Sequence, residues 1–203
     1  MVNRDGDSIL KIYGDGQSGN CLKVLWVARF LGLDYSWTEI DVLAGQAKTP
    51  GFLALNPAAQ VPCIVLDDGA VLAQSNAILL YLAEGSRLIP TDAYPRAKML
   101  EWLFWEQYSH EPYIAVVRFQ RHMAGLKPEA IEPKLMQRGY AALDRMELAL
   151  ADSAYLVGSV VSLADLSLVA YTRLAHQGGF DLAHYPLIRS WIKRVELDFN
   201  ITD

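Results

Sequence analysis

Cysteine is scarce: Cys21 and Cys63 are the only two among 203 residues. Two thiols cannot form the framework of a disulfide-stapled secreted domain, and a reducing cytoplasm is the simplest setting for them. No uninterrupted apolar run reaches the roughly 18 residues of a membrane span, although 52% of the residues are hydrophobic. Met1 to Asp7 is polar and acidic rather than basic and then apolar, unlike a secretory signal. Internal repeats, low-complexity tracts and long charge runs are missing as well, so the chain reads as globular throughout. A formal charge of −5 speaks against nucleic acid as the main partner. What remains is a cytoplasmic protein of a length that suits one large domain or two small ones.

One stretch organises the rest: Leu55-Asn56-Pro57-Ala58-Ala59-Gln60-Val61-Pro62-Cys63-Ile64, with Gln74-Ser75-Asn76-Ala77-Ile78 soon after it. Pro62 has no N–H to give a sheet ladder, so it belongs at the first position of the strand it precedes, or just before it. X-Pro is the one bond type for which cis is cheap, and a cis turn there would aim the Val61 backbone outward. Backbone presented beside a sheet end can take an extended peptide, strand against strand. Ser75 stands where an apolar helix opens, and a helix N-terminus with a hydroxyl cap suits a carboxylate.

In chain order, Ile9 to Tyr13 predicts a strand and Cys21 to Leu31 a helix that is apolar nearly all round, hence buried on several sides. Gly32 closes that helix. Tyr35 to Ile40 alternates as a second strand, and Pro50 to Leu55 reads as a short helix. Cys63 to Leu66, an Asp-Asp-Gly turn and Ala70 to Leu72 make a hairpin. The helix from Ser75 to about Glu84 stops at Gly85. Parallel strand pairs joined by helices, followed by a hairpin, imply one mixed sheet carrying helices, over residues 1–85. Residues 86–95, with Pro90, Asp92 and Pro95, read as a linker. Residues 96–203 read as all-helical: a long aromatic helix from Arg96 to about Val117, another from Lys134 to Ala151, and a last one after Pro186. Ser162-Leu163-Ala164-Asp165 has the form of a capping box, with Val161 and Leu166 placed to staple it.

Ser18 in the first turn, Asn56-Pro57 leading to Gln60-Val61-Pro62, Gln74-Ser75 opening a helix, and the Ser162 to Asp165 box occur in that order. With the layout, they resemble the cytosolic glutathione transferase family over essentially the whole chain. The resemblance implies a thioredoxin-like α/β N-terminal domain and an all-α C-terminal domain that lines a second-substrate site. It also implies glutathione as co-substrate, no metal, a small electrophilic substrate, and a homodimer with the aromatic helix partly at its interface. The serine in the first turn is similar to the theta- and zeta-type or related bacterial branches. Tyr13, the nearby tyrosine, falls inside the predicted strand.

A thiol of pKa about 8.5 is only a few per cent thiolate at neutral pH, and the thiolate is the nucleophile. On the resemblance, the Ser18 hydroxyl donates to the glutathione sulfur, aided by the positive end of the following helix; otherwise it caps that helix. Asn20 is a second sulfur donor or a cap. Cys21 completes a Ser-x-x-Cys spacing, but with serine in the nucleophile's place it reads as an inert core thiol, and so does Cys63. The Val61 backbone would pair with the cysteinyl part of glutathione, beside Pro62. Gln74 and Ser75 would hold the γ-glutamyl end. Lys48 would meet the glycyl carboxylate, or stay a surface lysine. Gln60 would contact the ligand or fix the turn before Pro62.

The second substrate would lie against the long helix, where Met99, Leu103, Glu106, Gln107, His110 and Tyr113 share a face by the three-and-four rule. His110 is a polar contact or a structural histidine. Arg118 attracts an anionic substrate or pairs locally. Asp165 reads as a folding residue whose loss costs on the order of 1 kcal/mol. Alternatives on the same fold are a glutathione-dependent peroxidase or disulfide reductase, and a non-catalytic binding protein.

Overall fold

The computed structural model of the chain describes residues 9–202. The polar stretch from Met1 to Asp7 and the outer ends of the two expected domains lie outside the described residues. The described residues form two compact units that divide between Glu84 and Gly85.

In the first unit, β1 (Leu10–Gly14), β2 (Tyr35–Glu39), β3 (Cys63–Val65) and β4 (Val71–Ala73) form one sheet in the order β2-β1-β3-β4. The sheet is mixed, but the expectation of several parallel pairs is corrected: among the described residues only β1 and β2 run parallel. Helix α1 (Gly19–Phe30) carries the chain over the sheet to bring β2 back in the direction of β1. The segment holding α2 (Pro50–Leu55) instead delivers β3 to the other edge of β1 in the opposite sense, with Ile12 facing Ile64. A turn with Gly69 at φ 82° then folds β4 back onto β3.

Strand alternation sorts the side chains to two faces. Leu10, Ile12 and Ile64 meet Val24 and Ala28 of α1 and Ile78 of α3 (Ser75–Leu82). Tyr13 and Cys63 face the other way, with Phe52 and Leu55 of α2. Each fully buried aliphatic side chain contributes roughly 1.5–3 kcal/mol, and a one-residue slip would turn them all outward, which fixes the register. Gly14 ends β1 because a Cβ there would come within 2.5 Å of the Trp37 ring.

The second unit holds α4 (Ala93–Trp105), α5 (Glu111–Arg118), α6 (Pro133–Ala149), α7 (Leu163–Thr172) and α8 (Pro186–Asp198). The single long helix expected from Arg96 to Val117 is instead α4 and α5 separated by a π turn, Glu106–His110, and a second π turn follows at Phe119–Met123. Pro112 explains the first. It has no N–H for the Tyr108 carbonyl and its ring crowds that carbonyl, so the helix widens ahead of it. The expected linker is also revised. Leu88 and Ile89 are buried, the Leu88 carbonyl accepts the Leu163 N–H at 3.1 Å, and α4 begins at Ala93, ahead of Pro95.

Every residue of α7 is buried. Its start carries the expected reciprocal capping box of Ser162 and Asp165, with Val161 and Leu166 both buried beside it. Asp165 does more than cap: its carboxylate also accepts the Leu156 N–H and the Trp191 Nε1–H, each at 2.9 Å. Glu147 of α6 caps α8 from outside, taking the Leu187 and Ile188 N–H groups on its two oxygens. Among the described residues no helix is long and apolar enough to cross a membrane.

Candidate functional site

The turn after β1 is tied from several sides. Gln17 N–H donates to Asp15 Oδ1 and Gly16 N–H to Glu39 Oε1, both at 2.8 Å, and Ser18 N–H donates to the Asp15 carbonyl. This sets Ser18 at the N-cap of α1 with extended backbone, but its side chain makes no cap bond. The Ser18 hydroxyl is hydrogen-bonded to the Cys21 thiol instead. That sulfur also accepts the Asp15 N–H at 3.3 Å. Burial pushes the Cys21 thiol up to about 12, against the pull of these two bonds. Cys63, also fully buried, is pushed to about 11 by burial alone.

Asn20 lies two positions beyond the N-cap, in the first turn of α1. Its Oδ1 accepts from Ser75 Oγ at 2.9 Å and from Lys23 Nζ at 2.8 Å. The bond to Ser75 brings the N-termini of α1 and α3 together. Ser75 is buried at the first position of α3 and its hydroxyl does not cap that helix, contrary to the sequence reading. The N-cap is Gln74, exposed, at φ 71° and ψ 111°, with no side-chain cap bond. A non-glycine residue at such an angle carries strain of about 1–3 kcal/mol, and strain of this kind gathers at ligand sites.

The proline stretch is organised by Asn56, which is buried. Its Nδ2 donates to the Gln60 carbonyl at 2.7 Å, and its Oδ1 accepts the Ala58 N–H at 3.2 Å. Gln60 therefore fixes the turn through its backbone, while its side chain is exposed. The Val61–Pro62 peptide is cis, Pro62 is buried, and β3 begins at Cys63. Among the described residues no backbone group pairs with the Val61 N–H or carbonyl. Lys48 is exposed at the end of a short 3-10 turn, Gln46–Lys48.

The residues assigned to a second substrate divide. Met99, Leu103, Glu106 and His110 are buried, so the face drawn by the three-and-four rule is mostly core-facing. His110 Nε2 donates to Thr172 Oγ1 at 2.9 Å, because the one threonine proton goes to the Leu168 carbonyl at 2.7 Å. That is a structural position for the histidine. Gln107 is exposed and bridges Glu106 and Glu111, and Tyr113 is half-buried. Arg118, also buried, donates from Nε to Gln177 Oε1 at 2.6 Å.

Two family models match the chain: the glutathione S-transferase N-terminal domain over residues 17–84 and the C-terminal domain over residues 103–197. The chain belongs to the glutathione S-transferase family. Maize glutathione S-transferase 3 is 34% identical over 194 residues, covering 90% of this chain and 86% of that protein. The crystal structure of a glutathione S-transferase from Pseudomonas fluorescens is 49% identical with a TM-score of 0.90, covering 93% of this chain and 95% of that one. The family also includes a relative named for other chemistry, the disulfide-bond oxidoreductase YfcG of Escherichia coli, 33% identical and covering 80% of this chain and 79% of its own.

Within this family fold, two side chains at the site escaped the sequence reading. Lys23 is wholly buried, and the sign was there: a cation in the first half of a helix that is apolar nearly all round. Asn56 stood in the motif, but its clamp on Gln60 depends on chain folding that spacing does not reveal. The arrangement offers a hydroxyl on sulfur at one helix end, an uncapped second helix end beside it, and strand backbone open to pairing. Chemically, that suits an extended peptide with a thiol and a carboxylate.

Proposed function

We propose that the chain is a glutathione transferase of the serine type, which ionises bound glutathione and directs its sulfur at a small apolar electrophile. The observation that carries this reading is the Ser18 hydroxyl, which bonds a sulfur rather than its own helix at the N-terminus of α1. A hydrogen bond to a charged group is worth about 1.5–3 kcal/mol, or roughly one to two pKa units. That lowers a thiol from about 8.5 far enough to be largely thiolate at neutral pH. Asn20 adds an amide donor. The Val61 backbone pairs with the cysteinyl unit, Gln74 and Ser75 hold the γ-glutamyl end, and Lys48 meets the glycyl carboxylate. Gln60 and Pro62 shape the turn that presents Val61. In the reaction the sulfur forms a carbon–sulfur bond with the electrophile as the leaving group departs. No metal enters this scheme.

Gln107 and Tyr113 are the two second-substrate candidates with surface to offer. We read the working unit as a cytoplasmic homodimer that uses the exposed aromatics of α4 and its π turn, and neither nucleic acid nor membrane as a partner. The likeness to YfcG favours a second reading, glutathione-dependent disulfide reduction by the same thiolate. A thioether product supports the first and glutathione disulfide the second.

The test is the absorbance of the glutathione thiolate, titrated over pH with the wild type, Ser18→Ala and Asn20→Ala. Ionisation well below pH about 8.5 that Ser18→Ala reverses is the expected result. Loss only in Asn20→Ala moves the donor role to Asn20. Binding without a shift, or no binding, overturns the catalytic reading.

A further inference from the structure

Lys23 plays no part in the mechanism described. It stands in α1 between Leu22 and Val24, and none of its surface reaches solvent. A lysine is almost never buried so fully unless it is paired. Its Nζ donates to Asn20 Oδ1 at 2.8 Å, and the same oxygen accepts the Ser75 hydroxyl at 2.9 Å. A lysine Nζ gives protons and offers no lone pair, so the corner of the Asn20 amide that faces it is the oxygen. Both donors thus converge on this one oxygen. The Asn20 N–H groups, at the opposite corner of the planar amide, are turned away from Lys23 and Ser75. Ser75 is constrained in the same way. Its one proton goes to Asn20, so toward a ligand its oxygen can only accept.

We propose that Lys23 is a positioning residue of the glutathione site: from inside the core it holds the Asn20 amide in one of its two flips. Asn20 then meets the ligand as a donor and Ser75 as an acceptor. This rests on the proposed function and specifies it. The serine–asparagine pair alone leaves the flip open, because a hydroxyl can give or accept. With the amide reversed, Nδ2 would donate to Ser75 and Oδ1 would face the ligand, repelling an anion. A donor-only group at Lys23 removes that alternative. The fixed polarity selects a zwitterionic amino-acid head such as the γ-glutamyl unit. Its ammonium suits the Ser75 oxygen, and its carboxylate suits the N–H groups of the first turn of α3.

Lys23→Met, similar in length and without a donor, tests this, each time alone and in an Asn20→Ala background. Lys23→Gln, whose amide can give or accept, serves as the second variant. The readouts are glutathione affinity by calorimetry and the pKa of the bound thiol by thiolate absorbance. In folded Lys23→Met, glutathione is expected to bind about tenfold more weakly and the bound thiol pKa to rise, with Lys23→Gln between it and wild type. In the Asn20→Ala background the same substitutions should change neither quantity. A role in stability alone would lower the melting temperature and leave the thiol pKa in place. Unchanged affinity and thiol pKa, or equal losses in both backgrounds, overturn the proposal. If neither variant folds, a structure of wild type with glutathione decides: Asn20 Oδ1 still on Lys23 Nζ supports it, and Oδ1 turned toward the ligand overturns it. A wild type that does not bind glutathione overturns the functional reading as well. Binding by wild type with indifferent variants overturns the role of Lys23 alone.

Discussion

The Ser18 hydroxyl is hydrogen-bonded to the Cys21 thiol, so the donor assigned to a ligand's sulfur already holds a sulfur of its own chain. A neutral thiol is a weak acceptor, whereas hydrogen bonds to charged groups are worth about 1.5–3 kcal/mol against 0.5–1.5 for neutral ones. A ligand thiolate should therefore take the hydroxyl from Cys21. Cys21→Ala is expected to keep thiolate formation, with the pKa of the bound thiol unchanged or lower. A rise in that pKa would mean that Cys21 is needed to aim Ser18.

Alkaline pH should destabilise the fold through the same thiol. Cys21 is raised from 9.0 to about 12 and Cys63 from 9.0 to about 11. Above pH 9 the unfolded chain sheds these protons while the native state keeps them, so stability falls as pH rises. The loss begins near pH 9 and runs on toward pH 12. Melting temperatures measured across that range should fall less steeply in Cys21→Ala than in wild type. Parallel curves would show that the buried thiol does not contribute.

Gln74 stands at φ 71° without capping α3. Gln74→Gly should relieve strain and stabilise the chain by about 1 kcal/mol, while weakening glutathione through loss of the side chain. A higher melting temperature together with a poorer dissociation constant is the expected pair. Improved stability with unchanged affinity would remove Gln74 from the site.

Asp165→Ala should cost more than a helix cap. Without the carboxylate, the buried donors of Leu156, Ser162 and Trp191 lose their acceptor. Each such orphan costs about 1–3 kcal/mol, so a loss of at least about 3 kcal/mol is expected by denaturant titration. Activity of the fraction that remains folded should be intact.

Phe104 and Tyr108 are 74% and 81% exposed on α4 and its π turn. In the proposed homodimer these rings would be covered by the partner. Phe104→Ser combined with Tyr108→Ser should convert a dimer to a monomer in analytical ultracentrifugation without unfolding it. A monomeric wild type, or an unaltered dimer in the variant, would end this assignment.

The strands, α1, α2, α3 and the capping box were legible because each depends on local signals: alternation in Leu10–Gly14, Thr49 ahead of Pro50, Asp165 three residues after Ser162. Direction was harder. Nothing between Glu39 and Cys63 states that β3 runs against β1, since that depends on how far the chain travels before returning. The face from Met99 to Tyr113 was read as one ligand-facing stripe, whereas Met99, Leu103, Glu106 and His110 are buried and Gln107 and Tyr113 keep surface. An apolar stripe looks the same whether core or substrate covers it. Lys23 left a faint sign, a cation within an apolar stretch, but spacing alone does not say that such a lysine is wholly buried.

The π turn at Glu106–His110 also bears on how such a helix can change. A turn closed by a bond from the Glu111 N–H to the Glu106 carbonyl contains one residue more than an α turn. It is in effect a one-residue insertion absorbed without breaking the rod. Deleting one residue there would let the turn close as an ordinary α turn, with the helix on either side keeping its facing. A change of one residue in this segment can thus be taken up locally while the fold is kept.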